Sequence, residues 1–94
     1  MKTPIRNLLL VEDDAALAAA TRNSMERRGI AVWHAESAIA ARALIGTAVF
    51  DAAVLDLRLP GDSGLTLVQP LRAAYPDMRI LVLTGYASIA TAVE

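Results

Sequence analysis

Apolar residues in this chain gather into four short runs: Leu8-Leu9-Leu10-Val11, Ile30-Ala31-Val32-Trp33, Ala52-Ala53-Val54-Leu55 and Ile80-Leu81-Val82-Leu83. A strand with one face in water alternates apolar with polar side chains, whereas one covered on both faces reads as an unbroken apolar run. The runs begin at positions 8, 30, 52 and 80, so 22, 22 and 28 residues separate successive starts. Each interval is long enough for a crossover helix, and the repeated strand–helix unit predicts an α/β fold on a parallel sheet.

The punctuation between runs agrees. Asp14 is placed to cap a first helix by accepting from its free amides, and Leu17, Thr21, Ser24, Met25 and Arg28 follow at helical spacing. Arg27 and Arg28 suit the negative C-terminal end, and Gly29 can close it in the left-handed conformation. Ser37 caps a second helix, Ala38 to Ile45, ended by Gly46. A third is expected from about Leu65 to Tyr75, stopped by Pro76, and Pro70 within it predicts a bend or a place in its early turns. A fourth is expected to begin near Ala87 or Ser88 and to run to Glu94. That helix is too short to stand alone, and it leaves the last strand as a flat apolar edge. Residues 1–94 therefore read as the N-terminal, incomplete portion of one longer domain.

Composition narrows the function. The 55% hydrophobic content is inflated by alanine, which suits helices packed closely on a sheet, and a net charge of −1 lacks the basic footprint of a polyanion-binding surface. Without cysteine there is no disulfide, thiolate zinc site or thiol nucleophile. No apolar run approaches the roughly 18 residues of a membrane span. The basic start at Lys2 and Arg6 leads into a run too short for a signal peptide. A soluble cytoplasmic domain is the expectation.

Candidate chemistry lies just after the runs, because in a parallel sheet every strand ends at one rim and ligands bind outside it. Run one is followed by Glu12, Asp13 and Asp14, run three by Asp56, run four by Thr84 and Gly85, and run two by His34, Ala35 and Glu36. If the first, third and fourth strands are neighbours, a strand spacing of about 4.8 Å lets Asp13 and Asp56 share one cation. Two carboxylates about 4 Å apart repel by roughly 1 kcal/mol in water and roughly 4 kcal/mol at an effective dielectric of 20, and a divalent cation removes that repulsion. All-oxygen ligation with open, watered positions favours Mg2+ over a transition metal. A carboxylate beside Mg2+ is placed to receive a phosphoryl group, with the Thr84 hydroxyl and the Gly85 amide donating to the new anion. Taken singly, Asp14 reads as a cap, Asp13 as a solvated loop acid, Thr84-Gly85 as a strand-ending turn and His34 as a surface or internally satisfied side chain. Asp56 stands apart, since an unpaired charge beside a buried strand is costly. The joint placement carries the argument.

The stretches Leu8-Leu9-Leu10-Val11-Glu12-Asp13-Asp14, Ala53-Val54-Leu55-Asp56-Leu57-Arg58-Leu59-Pro60-Gly61-Asp62-Ser63-Gly64-Leu65 and Ile80-Leu81-Val82-Leu83-Thr84-Gly85-Tyr86 together resemble the receiver domain of bacterial two-component response regulators. The resemblance implies a flavodoxin-like, doubly wound parallel sheet of order 2-1-3-4, with the fifth strand and helix falling beyond Glu94 and the output domain absent from these residues. It makes Asp56 the phosphoacceptor and Thr84 the switch hydroxyl. It assigns Mg2+ to Glu12, Asp13, Asp56 and the backbone carbonyl of Arg58, and phosphoryl contacts to the amides of Leu57 and Gly85. Pro60 and Gly64 make a rigid turn into the next helix. A sensor histidine kinase is the implied donor, and the chain itself is a signalling protein, not an enzyme.

Within that family, Leu55 to Leu59 and Leu83 to Glu94 most resemble the redox-responsive RegA/PrrA/ActR type, which carries a Fis-like helix-turn-helix region after the receiver. DNA contact is then expected only through that C-terminal output domain, with no membrane partner, and homodimerisation on activation in the full-length protein. The family's essential lysine also falls beyond Glu94, so these residues are expected to bind Mg2+ but to accept a phosphoryl group poorly.

Other readings fit less well. A haloacid-dehalogenase-like phosphatase needs a second acid two residues after the nucleophile, where this chain has Arg58. A nucleotide-binding domain needs a glycine-rich first turn, where this chain has Glu12-Asp13-Asp14, which repels phosphate. The remaining alternative is a receiver-like interaction module that is never phosphorylated, and it is disfavoured by an acidic pocket that is intact as far as the chain runs.

Overall fold

The computed structural model describes residues 4–83 and the backbone of 89–90. In chain order the elements are β1 (Asn7–Val11), α1 (Ala15–Glu26), β2 (Ala31–Ala35), α2 (Ala38–Leu44), β3 (Ala52–Asp56), β4 (Arg58–Leu59), β5 (Asp62–Ser63), a 3-10 turn (Gly64–Leu67), α3 (Val68–Ala74), β6 (Arg79–Leu83) and β7 (Ile89–Ala90). Each apolar run lies in, or within a residue of, one of the strands β1, β2, β3 and β6. These four are parallel, in the order β2-β1-β3-β6, which is the order expected for a doubly wound sheet, and β7 follows on the far side of β6.

Continuous apolar runs are needed because helices cover both faces. Along β1, successive side chains point to opposite sides. Leu9 and Val11 join Ala53, Leu55, Ile80 and Val82 against Ala38, Ala41, Leu67 and Leu71, while Leu8 and Leu10 join Val32 and Ala52 against Ala18 of α1. Fully burying one such leucine contributes about 1.5–3 kcal/mol, so both layers hold the register that aligns the strand ends.

The expected caps are present. The Asp14 carboxylate accepts from the Leu17 N–H at 3.0 Å and the Ser37 hydroxyl oxygen from the Ala40 N–H at 3.0 Å. Gly29 and Gly46 take φ of 81° and 88° past the ends of α1 and α2, where a side chain would be strained. The third helix differs from expectation. Its first turn, Gly64–Leu67, is 3-10 and the α-helix starts at Val68, so Pro70 lies in the early turns, where a missing N–H costs little.

Two features differ further from the sequence reading. The β4–β5 hairpin, with Arg58 opposite Ser63 and Leu59 opposite Asp62, is too short to leave a periodic signal. Ala87 and Ser88, the expected start of a fourth helix, lie outside the described residues, and at Ile89–Ala90 the structure has an antiparallel strand on β6 instead of helix. An apolar edge strand pairs with whatever backbone can reach it. Among the described residues no helix is long and apolar enough to cross a membrane.

Candidate functional site

Register assembles the site. Val11 stands opposite Leu55 on the neighbouring strand, so the next residue of each chain segment, Glu12 and Asp56, emerge side by side at the rim. Glu12 is still tied to the sheet, its N–H donating to the Ala35 carbonyl at 3.0 Å. Both side chains are buried, Glu12 at 4% and Asp56 at 8% exposure, while Asp13 is exposed. Carboxylate oxygens of Glu12, Asp13 and Asp56 all lie within 4.8 Å of one another. The three acids expected to converge therefore do so.

Local hydrogen bonds orient two of them. The Asp14 N–H donates to Glu12 Oε2 at 3.1 Å, and the Arg58 N–H donates to Asp56 Oδ1 at 3.1 Å. Burial pushes the Glu12 carboxyl up from 4.5 to about 6, the Asp14 amide works against that rise, and the neighbouring Asp56 and Asp13 add to it. Such crowding calls for a cation. The donor set is hard oxygen throughout, which suits Mg2+ or Ca2+. The chain's single histidine is not a member: His34 Nε2 bonds to the Glu12 backbone carbonyl at 2.7 Å, the internally satisfied role.

Arg58 opens β4, opposite Ser63, which puts its backbone next to the acids on a paired hairpin. Leu57 behaves differently from the expectation that its amide faces a phosphoryl group. Its N–H donates to the Leu83 carbonyl at 2.7 Å, and the amide aimed at the Asp56 carboxylate is that of Arg58. No spacing signal distinguishes adjacent amides; the turn out of β3 decides it. Thr84 and Gly85 lie outside the described residues, although Leu83, the residue before them, is in register with Asp56.

Gly64 also belongs to the site in a way that its turn-forming role did not reveal. Its N–H donates to the Leu57 carbonyl at 2.9 Å. A Cβ there would overlap the Asp56 carbonyl oxygen and lie 2.9 Å from the Asp56 carbonyl carbon. Only glycine lets the hairpin close this tightly against the backbone of the central acid.

Residues 8–94 match the model of the response regulator receiver domain. The chain belongs to the response regulator receiver family. This receiver is 46% identical over 88 residues to the photosynthetic apparatus regulatory protein RegA of Rhodobacter capsulatus, covering 94% of the chain and 48% of RegA. It is 44% identical over 91 residues to the acid tolerance regulatory protein ActR of Rhizobium meliloti, covering 97% of the chain and 47% of ActR. The RegA/ActR resemblance of the sequence is thereby found again. Among solved structures, a response regulator from Burkholderia pseudomallei with a phosphorylated aspartic acid, a calcium ion and citrate superposes with a TM-score of 0.82 at 44% identity, over 88% of the receiver and 49% of that chain. The receiver spans about half the length of RegA and of ActR.

Proposed function

We propose that this receiver takes a phosphoryl group onto Asp56 from the phosphohistidine of a sensor histidine kinase, in a Mg2+-dependent transfer. The observation that carries the reading is the convergence of Glu12, Asp13 and Asp56 within 4.8 Å at the end of β3, and the phosphorylated aspartic acid of the Burkholderia pseudomallei relative supports it. Glu12, Asp13, Asp56 and the Arg58 carbonyl would hold the cation. Mg2+, when bound, neutralises charge on the transferring oxygens. An Asp56 carboxylate oxygen attacks phosphorus, the P–N bond breaks, and its electron pair returns to the imidazole, leaving an acyl phosphate. The Arg58 N–H, already directed at Asp56 Oδ1, donates to the new group, a role for which the Leu57 N–H would first have to leave Leu83. The Thr84 hydroxyl and Gly85 amide are the remaining donors, and turning of Thr84 toward the added charge couples the site to the rest of the domain.

The names of RegA and ActR, both regulatory proteins, support a regulatory output, and that of AlgB of Pseudomonas aeruginosa, a transcriptional regulatory protein 39% identical over 87 residues, supports a transcriptional one. DNA contact is then expected only of an output domain joined to such a receiver, with homodimerisation on activation, acting in the cytoplasm. The test is labelling with acetyl phosphate, with and without Mg2+, followed by peptide mapping. The expected acyl phosphate maps to Asp56 and requires Mg2+. Labelling at another residue, or labelling indifferent to Mg2+, overturns the reading.

A further inference from the structure

The β4–β5 hairpin between Asp56 and α3 is held from outside by α2. Arg42, on α2, donates from Nη2 to Thr66 Oγ1 at 3.0 Å, and its Nη1 lies 3.6 Å from Asp62 Oδ2. Asp62 Oδ1 accepts the Ser63 N–H at 2.7 Å, and this amide, with Arg42 adding to it, holds the Asp62 carboxyl below its ordinary range. Thr66 Oγ1 donates to the Ser63 carbonyl at 2.8 Å, and the Ser63 hydroxyl oxygen accepts from the Leu65 N–H at 3.2 Å. On its inner side the same hairpin pairs Ser63 with Arg58, whose N–H reaches Asp56 Oδ1 at 3.1 Å. A continuous set of contacts thus runs from an exposed guanidinium to the backbone beside the central acid.

We infer that Arg42, Asp62 and Thr66 form a strap that fixes the Arg58 backbone against Asp56 and so sets the affinity of the acidic site for its divalent cation. The inference rests on the Mg2+ reading above. None of the three belongs to the carboxylate cluster; they are positioning residues acting through the hairpin. Arg42 and Asp62 keep 44% and 31% of their side-chain surface exposed, and ion pairs that open to water add little to global stability. Metal affinity responds much more strongly to the groups that orient the ligands.

Charge alone predicts the opposite sign for Arg42, which makes the strap testable. Removing a positive side chain from the neighbourhood of a cation site tightens cation binding by Coulomb's law, whereas loosening the strap weakens it. The experiment is Mg2+ titration by isothermal calorimetry, with thermal melts in parallel, for the unaltered protein, R42Q, D62N, T66V and T66S. Arg42→Gln and Thr66→Val are expected to raise the Mg2+ Kd by about 10-fold, the lower end of what ligand-orienting partners cost, with nearly unchanged melting temperatures. Thr66→Ser keeps the bridging hydroxyl and is expected to bind as the unaltered protein does. Unchanged or tighter binding by R42Q overturns the strap, as does a T66S protein no better than T66V. If the unaltered protein binds no Mg2+, the carboxylate reading itself fails and the strap with it; if it binds and R42Q binds equally well, the strap alone fails.

Discussion

Asp51 and Asp56 flank the same strand at opposite ends, and their surroundings differ completely. Asp51 Oδ2 accepts the N–H groups of Arg6 and Asn7 at 3.0 and 2.9 Å, and its own N–H and carbonyl bond to Asn7 and Arg79. It ties together the amino ends of β1, β3 and β6. Among the described residues, Asp56 accepts from one amide, that of Arg58, and lies with two more carboxylates. The difference follows from strand direction. Where parallel strands begin, unpaired N–H groups are available to an acid; where they end, loops deliver side chains and the acid is left for a ligand. Two aspartates at the two ends of one buried strand thus serve as a structural tie and as the centre of a candidate site.

The widest gap between them should appear in chemistry. Asp56→Asn is expected to abolish acyl phosphate formation at this position, while Asp51→Asn labels at the normal rate per folded molecule; peptide mapping after acetyl phosphate treatment reads both. Loss of labelling in the Asp51 variant with its fold intact would break the comparison. Next in size is Gly64→Ala, which forces the hairpin away from the Asp56 carbonyl. A loss of about 1–3 kcal/mol is expected from the overlap, measured by urea denaturation, together with weaker Mg2+ binding by calorimetry. Asp51→Asn is expected to cost about 1–3 kcal/mol in the same denaturation assay, because two amides lose a charged acceptor, and to leave the Mg2+ Kd unaltered.

The smallest effect concerns pH. Because Glu12 titrates near 6 in the fold against an ordinary 4.5, the folded protein binds more protons than the unfolded chain between those values. The stability linked to Glu12 is therefore fully present below about 4.5 and lost as pH rises through about 6. Mg2+ affinity should run the other way, falling as pH drops through the same window, since binding must displace that proton. Comparing melts and Mg2+ titrations at both ends of the window for the unaltered protein and Glu12→Gln isolates this contribution, which the variant should lack.

Much of the site was legible because strand ends are legible. Once Leu8–Val11 and Ala52–Leu55 are seen as neighbouring buried strands, Glu12, Asp13 and Asp56 have to gather at one rim, whatever their exact side-chain positions. The amide facing Asp56 was not legible in the same way. Leu57 and Arg58 are adjacent, and the turn after β3, closed by Gly64, gives one N–H to Leu83 and the other to the carboxylate. The Arg42 contacts to Thr66 and Asp62 join residues twenty or more positions apart through ordinary surface side chains, and no local pattern announces them.

From the amino acids alone come the four strands, the caps at Asp14 and Ser37, the two-sided cover of the sheet and the acids at its rim. These follow from short-range periodicity and hydrogen-bonding preference, which a linear string records directly. Only the packed chain decided that Asp51 is a tie, that Gly64 abuts Asp56, that Arg58 supplies the amide, and that Ile89–Ala90 pair with β6 as a strand. Such outcomes depend on which distant backbone groups meet at a few ångströms, and that is settled by the summed packing of both layers.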